Sequence, residues 1–213
     1  MISATYVINL DKRPDRWTAF ADRFPSDWTL PRPERYAACD GTEPKNKPPQ
    51  WFQQPRGGWG CLRSHLGVWR SLLDSGGDSA LVLEDDAVFC DGFCAKSAAF
   101  MENVPGDWGQ IYLGGQHYRQ PHGLPVEVKP GVLRAFNVNR AHAYVLRADF
   151  AEMAMEHVAK TLESRPLQID YILGDLHEST RRAYCPLKWL AGQAASASDI
   201  ARDAAGPVHK QEH

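Results

Sequence analysis

Three consecutive carboxylates, Glu84, Asp85 and Asp86, close the apolar run Ala80-Leu81-Val82-Leu83, and apolar residues resume at once with Ala87-Val88-Phe89. Read as a buried strand, this run delivers acids to the strand's C-terminal end. Side chains alternate along a strand, so Glu84 and Asp86 are expected on one face and Asp85 on the other. Two carboxylates about 4 Å apart repel by roughly 4 kcal/mol at an effective dielectric near 20. Three beside a core therefore call for a proton or a cation, and carboxylate oxygens suit Mg²⁺ or Mn²⁺. The plain alternative is a solvated acidic turn, and the tripeptide alone does not choose between the two.

Stepping out from the acids, the pattern alternates strands and helices. Ala4–Leu10 is β-rich and reads as an interior strand. After the polar turn 11–16, Asp15 is placed to cap a short helix to about Phe24, with Trp17, Phe20 and Phe24 on one face. Arg35–Cys39 reads as a second strand, closed by the turn pair Asp40-Gly41. The stretch 43–60 holds four prolines and three glycines and reads as a long loop. Its Trp51, Phe52 and Trp59 suit either stacking on a sugar or base, or anchoring a lid. Cys61–Ser75 reads as a helix with Leu62, Leu66, Trp69 and Leu73 on one stripe and Gly76-Gly77 as its stop; His65 falls off that stripe.

Beyond the acids, 91–101 reads as a short helix and 108–115 as a strand; 116–129 reads as a loop or hairpin. Ala143–Leu146 reads as a strand before a helix capped by Asp149, Leu167–Leu173 starts another helix, and Arg182–Cys185 makes a short strand. The whole predicts an α/β fold, a single domain with a mostly parallel central sheet flanked by helices. The domain is expected over 1–200, with 201–213 a disordered tail.

At 213 residues the chain can bury one sizeable core, and its net charge of −2 offers no strong nucleic-acid signal. No stretch approaches the roughly 20 apolar residues of a transmembrane span. Five scattered cysteines suggest neither a disulfide framework nor a CxxC zinc site. The N-terminus lacks a basic lead and an apolar core. Together these predict a reduced, cytoplasmic protein.

Several stretches fall in a telling order: Val7-Ile8-Asn9-Leu10-Asp11-Lys12-Arg13-Pro14-Asp15-Arg16, Ala38-Cys39-Asp40-Gly41, Gly60-Cys61-Leu62-Arg63-Ser64-His65, Val82-Leu83-Glu84-Asp85-Asp86, Ala143-Tyr144-Val145-Leu146, and Gln193 to Ser198-Asp199-Ile200. This ordered set resembles glycosyltransferase family 25, the group that includes lipopolysaccharide β-galactosyltransferases and collagen galactosyltransferase domains. The resemblance implies a GT-A-like fold, a nucleoside-diphosphate sugar donor (UDP and galactose favoured), a Mn²⁺ or Mg²⁺ ion, and a glycan or other hydroxyl acceptor. It implies that Glu84 and Asp86 reach the metal and Asp85 the donor. Asn9, Leu10 and Arg13 fall at a ligand-facing strand end, Asp40-Gly41 near the nucleoside, and Ser64 and His65 near the diphosphate. His142 and Asp199 are candidate later metal ligands. The chain departs from the family in its short C-terminal part and in Asn139-Arg140-Ala141-His142, where a small-residue turn is expected.

An inverting transfer needs a general base. Asp170, a lone carboxylate among Leu167, Ile169, Tyr171 and Ile172, is the candidate, with Asp175 a weaker one. Each assignment has a plainer counterpart: a surface salt bridge for Arg13, an ordinary turn for Asp40-Gly41, a helix-surface acid for Asp170. At the level of the whole chain, the alternatives are a catalytically inactive nucleotide-sugar-binding protein and a glycosyltransferase acting on modified nucleic-acid bases.

Overall fold

The computed structural model describes residues 1–117, 125–136 and 138–194. Asp199 and the expected tail 201–213 lie outside the described residues. In chain order the first half is β1 (Ala4–Asn9), α1 (Pro14–Asp22), β2 (Pro33–Ala37), α2 (Arg56–Ser75), β3 (Ser79–Glu84), β4 (Ala87–Phe89) and α3 (Phe93–Asn103). The second half is β5 (Gln110–His117), β6 (Val126–Lys129), β7 (Val132–Arg134), β8 (Val138–Arg147), α4 (Ala148–Thr161), α5 (Ile169–Thr180), β9 (Ala183–Pro186) and β10 (Ala191–Gln193).

Eight strands form one sheet in the order β2-β1-β3-β8-β5-β9-β7-β6. The pairings set six of them pointing the same way, with β8 and β7 reversed. This is the mostly parallel α/β sheet that the alternating pattern predicts. Alternation along the central strands separates two cores. Ala80 and Val82 of β3, with Tyr144 and Leu146 of β8, pack under α2, α4 and α5. Leu81 and Leu83, with Ala143 and Val145, pack under α1 and α3. Each fully buried Leu or Val here contributes about 1.5–3 kcal/mol.

The chain leaves β1 through α1 to β2 on one side, then crosses by α2 to β3 on the other side of β1. The C-terminal ends of β1 and β3 thus flank a topological switch point, where open α/β sheets leave a crevice.

Local expectations shift at the α2 start and at the caps of α1 and α4. The helix expected from Cys61 begins at Arg56, so the glycine-rich end of the long loop is helical. Each helical glycine costs about 1 kcal/mol against alanine, which is why the sequence reads as loop. Close packing compensates: a Cβ on Gly60 would collide with the Cys39 carbonyl and the Gly41 amide, and one on Gly41 with the Arg56 carbonyl. Asp15 is not the cap of α1, because Pro14 occupies the first turn and Arg13 the cap position. Asp149 likewise lies inside α4, whose cap is Arg147. Trp51, Phe52 and Trp59 pack on one another, with Phe52 and Trp59 buried in the core, so they anchor the segment before α2. The α2 stop is as expected, with Gly76 left-handed at φ 68°.

Candidate functional site

The site stands at the C-terminal edge of β1, β2 and β3. There a cleft of about 570 Å³ is lined by Asn9, Leu10, Arg13 and Arg16 after β1, Asp40, Gly41 and Thr42 after β2, Gly57, Cys61, Ser64 and His65 of α2, and Glu84, Asp85 and Asp86 after β3. Gln193 and Ala194 close it from β10.

The strand ends at Glu84, and Asp85-Asp86 form the turn into β4. The strict alternation expected through 84–86 is therefore broken: all three acids border the same cleft. Asp85 is buried and accepts from Asn9 Nδ2 at 2.7 Å, with Arg16 Nε 3.0 Å away. Asp86 accepts from Arg16 Nη2 at 2.7 Å and from Gln193 Nε2 at 3.4 Å. The Ala194 amide donates to the Asp86 carbonyl at 2.8 Å, pinning the end of β10 to this turn. Asn9 is saturated as well, donating to the Arg13 carbonyl and accepting from Arg35 Nε at 2.8 Å.

The guanidinium charge of Arg16 and Arg13 does not discharge three acids. Burial, then the charge of Glu84, pushes the Asp86 carboxyl up to about 7, against the pull of Arg16. Burial also raises Asp85, against Asn9 and Arg16. Glu84 goes the other way: burial disfavours its charge, but the His65 hydrogen bond and the neighbouring His65, His142 and Arg16 hold it below its ordinary value.

Glu84 is fixed by a buried chain of hydrogen bonds. Trp69 Nε1 donates to Tyr144 Oη at 2.8 Å, Tyr144 lies 2.8 Å from His65 Nδ1, and His65 Nε2 lies 3.3 Å from Glu84 Oε1. With neutral imidazole, Tyr144 gives its one proton to Nδ1 and Nε2–H points at Glu84. His65 is thus inside the protein and bonded at both nitrogens. Ser64 is also buried, donating to the Gly60 carbonyl and accepting from the Cys39 amide at 2.9 Å. Its hydroxyl ties the β2 loop to α2.

Asp40 makes a tight turn: it accepts from the Thr42 amide at 3.0 Å and the Thr42 hydroxyl at 2.6 Å, and pairs with Lys12 at the cleft. Arg13 is held by Asp15, Nη2 to Oδ2 at 2.8 Å, while lining the same cleft.

A smaller cavity of about 130 Å³ adjoins, lined by Arg140, Gln168 and Asp170 among others, and it shares Cys61, Glu84 and Gln193 with the cleft. Burial pushes the Asp170 carboxyl up to about 6, partly offset by the Arg140 backbone N–H; the charge of Glu84 adds to the rise. Asp175 is elsewhere, paired with Arg165. His142 is buried, with Nε2 3.5 Å from the Ala191 carbonyl; burial lowers its pKa and the charge of Glu84 works against that.

Ten residues expected around a donor or metal (Asn9, Leu10, Arg13, Asp40, Gly41, Ser64, His65, Glu84, Asp85 and Asp86) come to one cleft, and Asp170 to the adjoining cavity. His142 lines neither. Among the lining residues not anticipated, Arg16, Gln193 and Cys61 stand beside the acids. The Arg13-x-x-Arg16 spacing at a helix start was a usable signal for Arg16; Gln193 opens the last of the family stretches, but nothing there marked its side chain for the acids. Cys61 Sγ, a ring nitrogen of His65 and a Glu84 oxygen all lie within 4.8 Å of one another. No helix among the described residues is long and apolar enough to cross a membrane.

Comparison with known proteins places this geometry in context. The family model described as Glycosyltransferase family 25 (LPS biosynthesis protein) matches residues 2–122, more than half of the chain. A procollagen lysyl hydroxylase and glycosyltransferase of Acanthamoeba polyphaga mimivirus is 29% identical over 61% of this chain and 16% of its own length. Inactive glycosyltransferase 25 family member 3 of Homo sapiens is 32% identical over 53% of the chain and 18% of its own. Procollagen galactosyltransferase 2 of Mus musculus is 28% identical over 55% and 19%. The matches thus span less than a fifth of each of these relatives.

Proposed function

From the premise that this chain belongs to glycosyltransferase family 25, we propose that it is a GT-A-like, metal-dependent, inverting hexosyltransferase. It takes a nucleoside-diphosphate sugar, UDP-galactose favoured, and transfers the hexose to a hydroxyl of a glycan such as lipopolysaccharide. The galactosyl preference follows the name of the mouse relative, and the lipopolysaccharide acceptor follows the family description. The observation that carries the reading is that Glu84 borders both the large cleft and the small cavity holding Asp170. Acids that can serve a donor and an acceptor thus meet at one residue.

Glu84 and Asp86 fit a hard divalent ion. Both offer carboxylate oxygen, and Asp86 ionises only near pH 7 because burial and Glu84 oppose its charge. Bound there, Mn²⁺ or Mg²⁺ supplies neutralisation of a leaving diphosphate. Arg16 and Arg13 add positive charge on the same side of the cleft. The Asp40-Thr42 turn is suited to hydrogen bonding with the nucleoside, and Asn9 holds Asp85 in place for the donor.

In the transfer, the acceptor oxygen forms a bond to the anomeric carbon as the bond to the diphosphate oxygen breaks. The electron pair leaves with the diphosphate, and the hydroxyl proton goes to Asp170. A carboxylate with a pKa near 6 is ionised at neutral pH and basic enough to take that proton.

Titration calorimetry with UDP and Mn²⁺, run beside a transfer assay over a panel of nucleotide sugars and glycans, tests the reading. Mn²⁺-dependent UDP binding together with sugar transfer supports it. Binding without hydrolysis or transfer to any acceptor points instead to a nucleotide-sugar-binding protein, a reading favoured by the human relative, whose name calls it inactive. Absence of Mn²⁺-dependent binding overturns both.

A further inference from the structure

We infer that Cys61, His65 and Glu84 form a second metal site, one that takes a borderline-soft divalent ion of the Zn²⁺ class. The inference stands apart from the transferase reading, since a thiolate, an imidazole and a carboxylate bind such an ion whether or not sugar is moved.

Two of the ligands share one helix face, because Cys61 and His65 are four residues apart on α2. The third, Glu84, is delivered by the end of β3. Zn–S near 2.3 Å and Zn–N or Zn–O near 2.0–2.2 Å imply tetrahedral ligand atoms about 3.3–3.6 Å apart. His65 Nε2 and Glu84 Oε1 are already 3.3 Å apart. The thiol needs to close by at most about 1.2 Å, from 4.8 Å to about 3.6 Å, since all three donor atoms lie within 4.8 Å of one another. Three protein ligands leave a fourth position, and both Cys61 and Glu84 border the cleft from which water or a phosphate oxygen would fill it.

The support behind His65 is also of the right kind. A metal-bound histidine donates its other N–H to an acceptor that fixes the ring. If Nε2 turns to the metal, the proton moves to Nδ1 and faces Tyr144 Oη, 2.8 Å away. That oxygen already accepts from Trp69 Nε1 and has a second lone pair for Nδ1–H, its own O–H rotating off the Nδ1 direction. Charge balances too: a thiolate and a carboxylate against a dication give a neutral unit in a largely buried place, with the thiol proton released to solvent.

The hard pair Glu84/Asp86 lacks sulfur and the new set lacks Asp86, so ion class selects between them. Because Glu84 belongs to both, the two ions compete for its carboxylate, and Zn²⁺ is expected to weaken Mn²⁺-dependent nucleotide binding.

Chelator-stripped full-length protein titrated with Co²⁺ reads the site without any activity. The expected result is a near-ultraviolet thiolate-to-cobalt charge-transfer band that saturates at one equivalent and is displaced by Zn²⁺. The band persists in Cys90→Ser and disappears in Cys61→Ser, whose Zn²⁺ affinity falls by more than the about 10–100-fold typical of outer-shell changes alone. In unsubstituted protein, Zn²⁺ shields Cys61 from iodoacetamide, read by peptide mass spectrometry, so the test holds even if Cys61→Ser fails to fold. No band at stoichiometric Co²⁺, a band that survives Cys61→Ser, or alkylation of Cys61 unaffected by Zn²⁺ overturns the inference. None of these outcomes depends on whether the protein binds UDP.

Discussion

Arg16 reaches from α1 to Asp86 across the cleft, its Nη2 2.7 Å from Oδ2, while its Nε lies 3.0 Å from Asp85. Both side chains of the Arg16–Asp86 pair are 14% exposed, so the pair is shielded enough to matter. Removing one partner of a buried pair costs about 3–5 kcal/mol because the other charge is stranded. Arg16→Ala is expected to lower stability by less than that in urea melts at pH 7.5, because Asp86, already pushed up to about 7, takes a proton rather than standing as a bare charge. With the competing positive charge gone, Mn²⁺ is expected to bind more tightly and UDP more weakly. Equal losses for both ligands would contradict the role given to Arg16.

Asp86→Ala removes a hard ligand from the cleft while leaving the Asn9–Asp85 and Arg16–Asp85 contacts. Mn²⁺-dependent UDP affinity is expected to vanish in calorimetry while far-ultraviolet circular dichroism stays unchanged. Unchanged Mn²⁺-dependent affinity would refute the assignment of Asp86.

Asp170 sets a pH limit. Its carboxyl sits near 6 rather than 3.8, and it must be ionised to accept a proton. The transfer kcat/KM is expected to begin falling below about pH 7, where Asp86 takes up a proton and metal binding weakens, and to fall more steeply below about pH 6, where Asp170 does too; at saturating Mn²⁺, which holds Asp86 ionised, the Asp170 limb near pH 6 remains. The stability effect has the opposite sign. Between about pH 4 and 6 the folded protein keeps a proton that the unfolded chain has released, so this group's contribution falls as pH rises through that window, by on the order of 3 kcal/mol in all. Asp170→Asn is expected to cut kcat by about 10²–10⁴-fold and to remove that slope from the pH dependence of unfolding.

Tyr144 is the hinge of the hydrogen-bond chain behind Glu84. Tyr144→Phe keeps the ring in the core but strands Trp69 Nε1 and His65 Nδ1, at a cost of about 1–3 kcal/mol each at most. With His65 no longer oriented, metal-dependent UDP affinity is expected to weaken as well. Thermal melts with and without Mn²⁺ and UDP separate the two effects: a lower melting temperature with an unchanged ligand-induced shift would restrict Tyr144 to packing.

Gly60→Ala tests the loop-to-helix contact. The added methyl meets the Cys39 carbonyl and the Gly41 amide, neither of which is a flexible side-chain end. Overpacking of this kind costs about 1–3 kcal/mol, and it is expected to displace the Asp40 turn and weaken UDP binding. Gly106→Ala, where nothing lies within 4 Å of the added carbon, is the neutral control.

Much of this site was legible along the chain because its residues sit in short runs tied to strand ends. Asn9 ends β1, Asp40-Gly41 follow β2 and Glu84 ends β3, and parallel strands bring such ends to one edge. The helix carrying Cys61 and His65 was readable, but its start was not. Gly57, Gly58 and Gly60 weaken local helix propensity, and the opposing backbone of Cys39 and Gly41 accounts for Gly60. The facing of Asp85 was misread for a related reason: alternation holds only while the strand continues, and β3 stops one residue earlier.

By itself the sequence determined the class of sheet, the alternation that splits its two cores, the run of acids at a strand end, and the ordered motifs of the family. These are local periodicities and short words, written by burial and backbone geometry over a few residues. The tertiary structure alone decided what neutralises and orients those acids. Arg16 meets Asp86 from 70 residues away and Gln193 from 107, and Tyr144 meets His65 across 79. Such meetings depend on strand order and on the β4–β10 pairing, which no local pattern encodes. They decide the charge state of the cleft, because electrostatics follows distance in space and burial rather than distance along the chain.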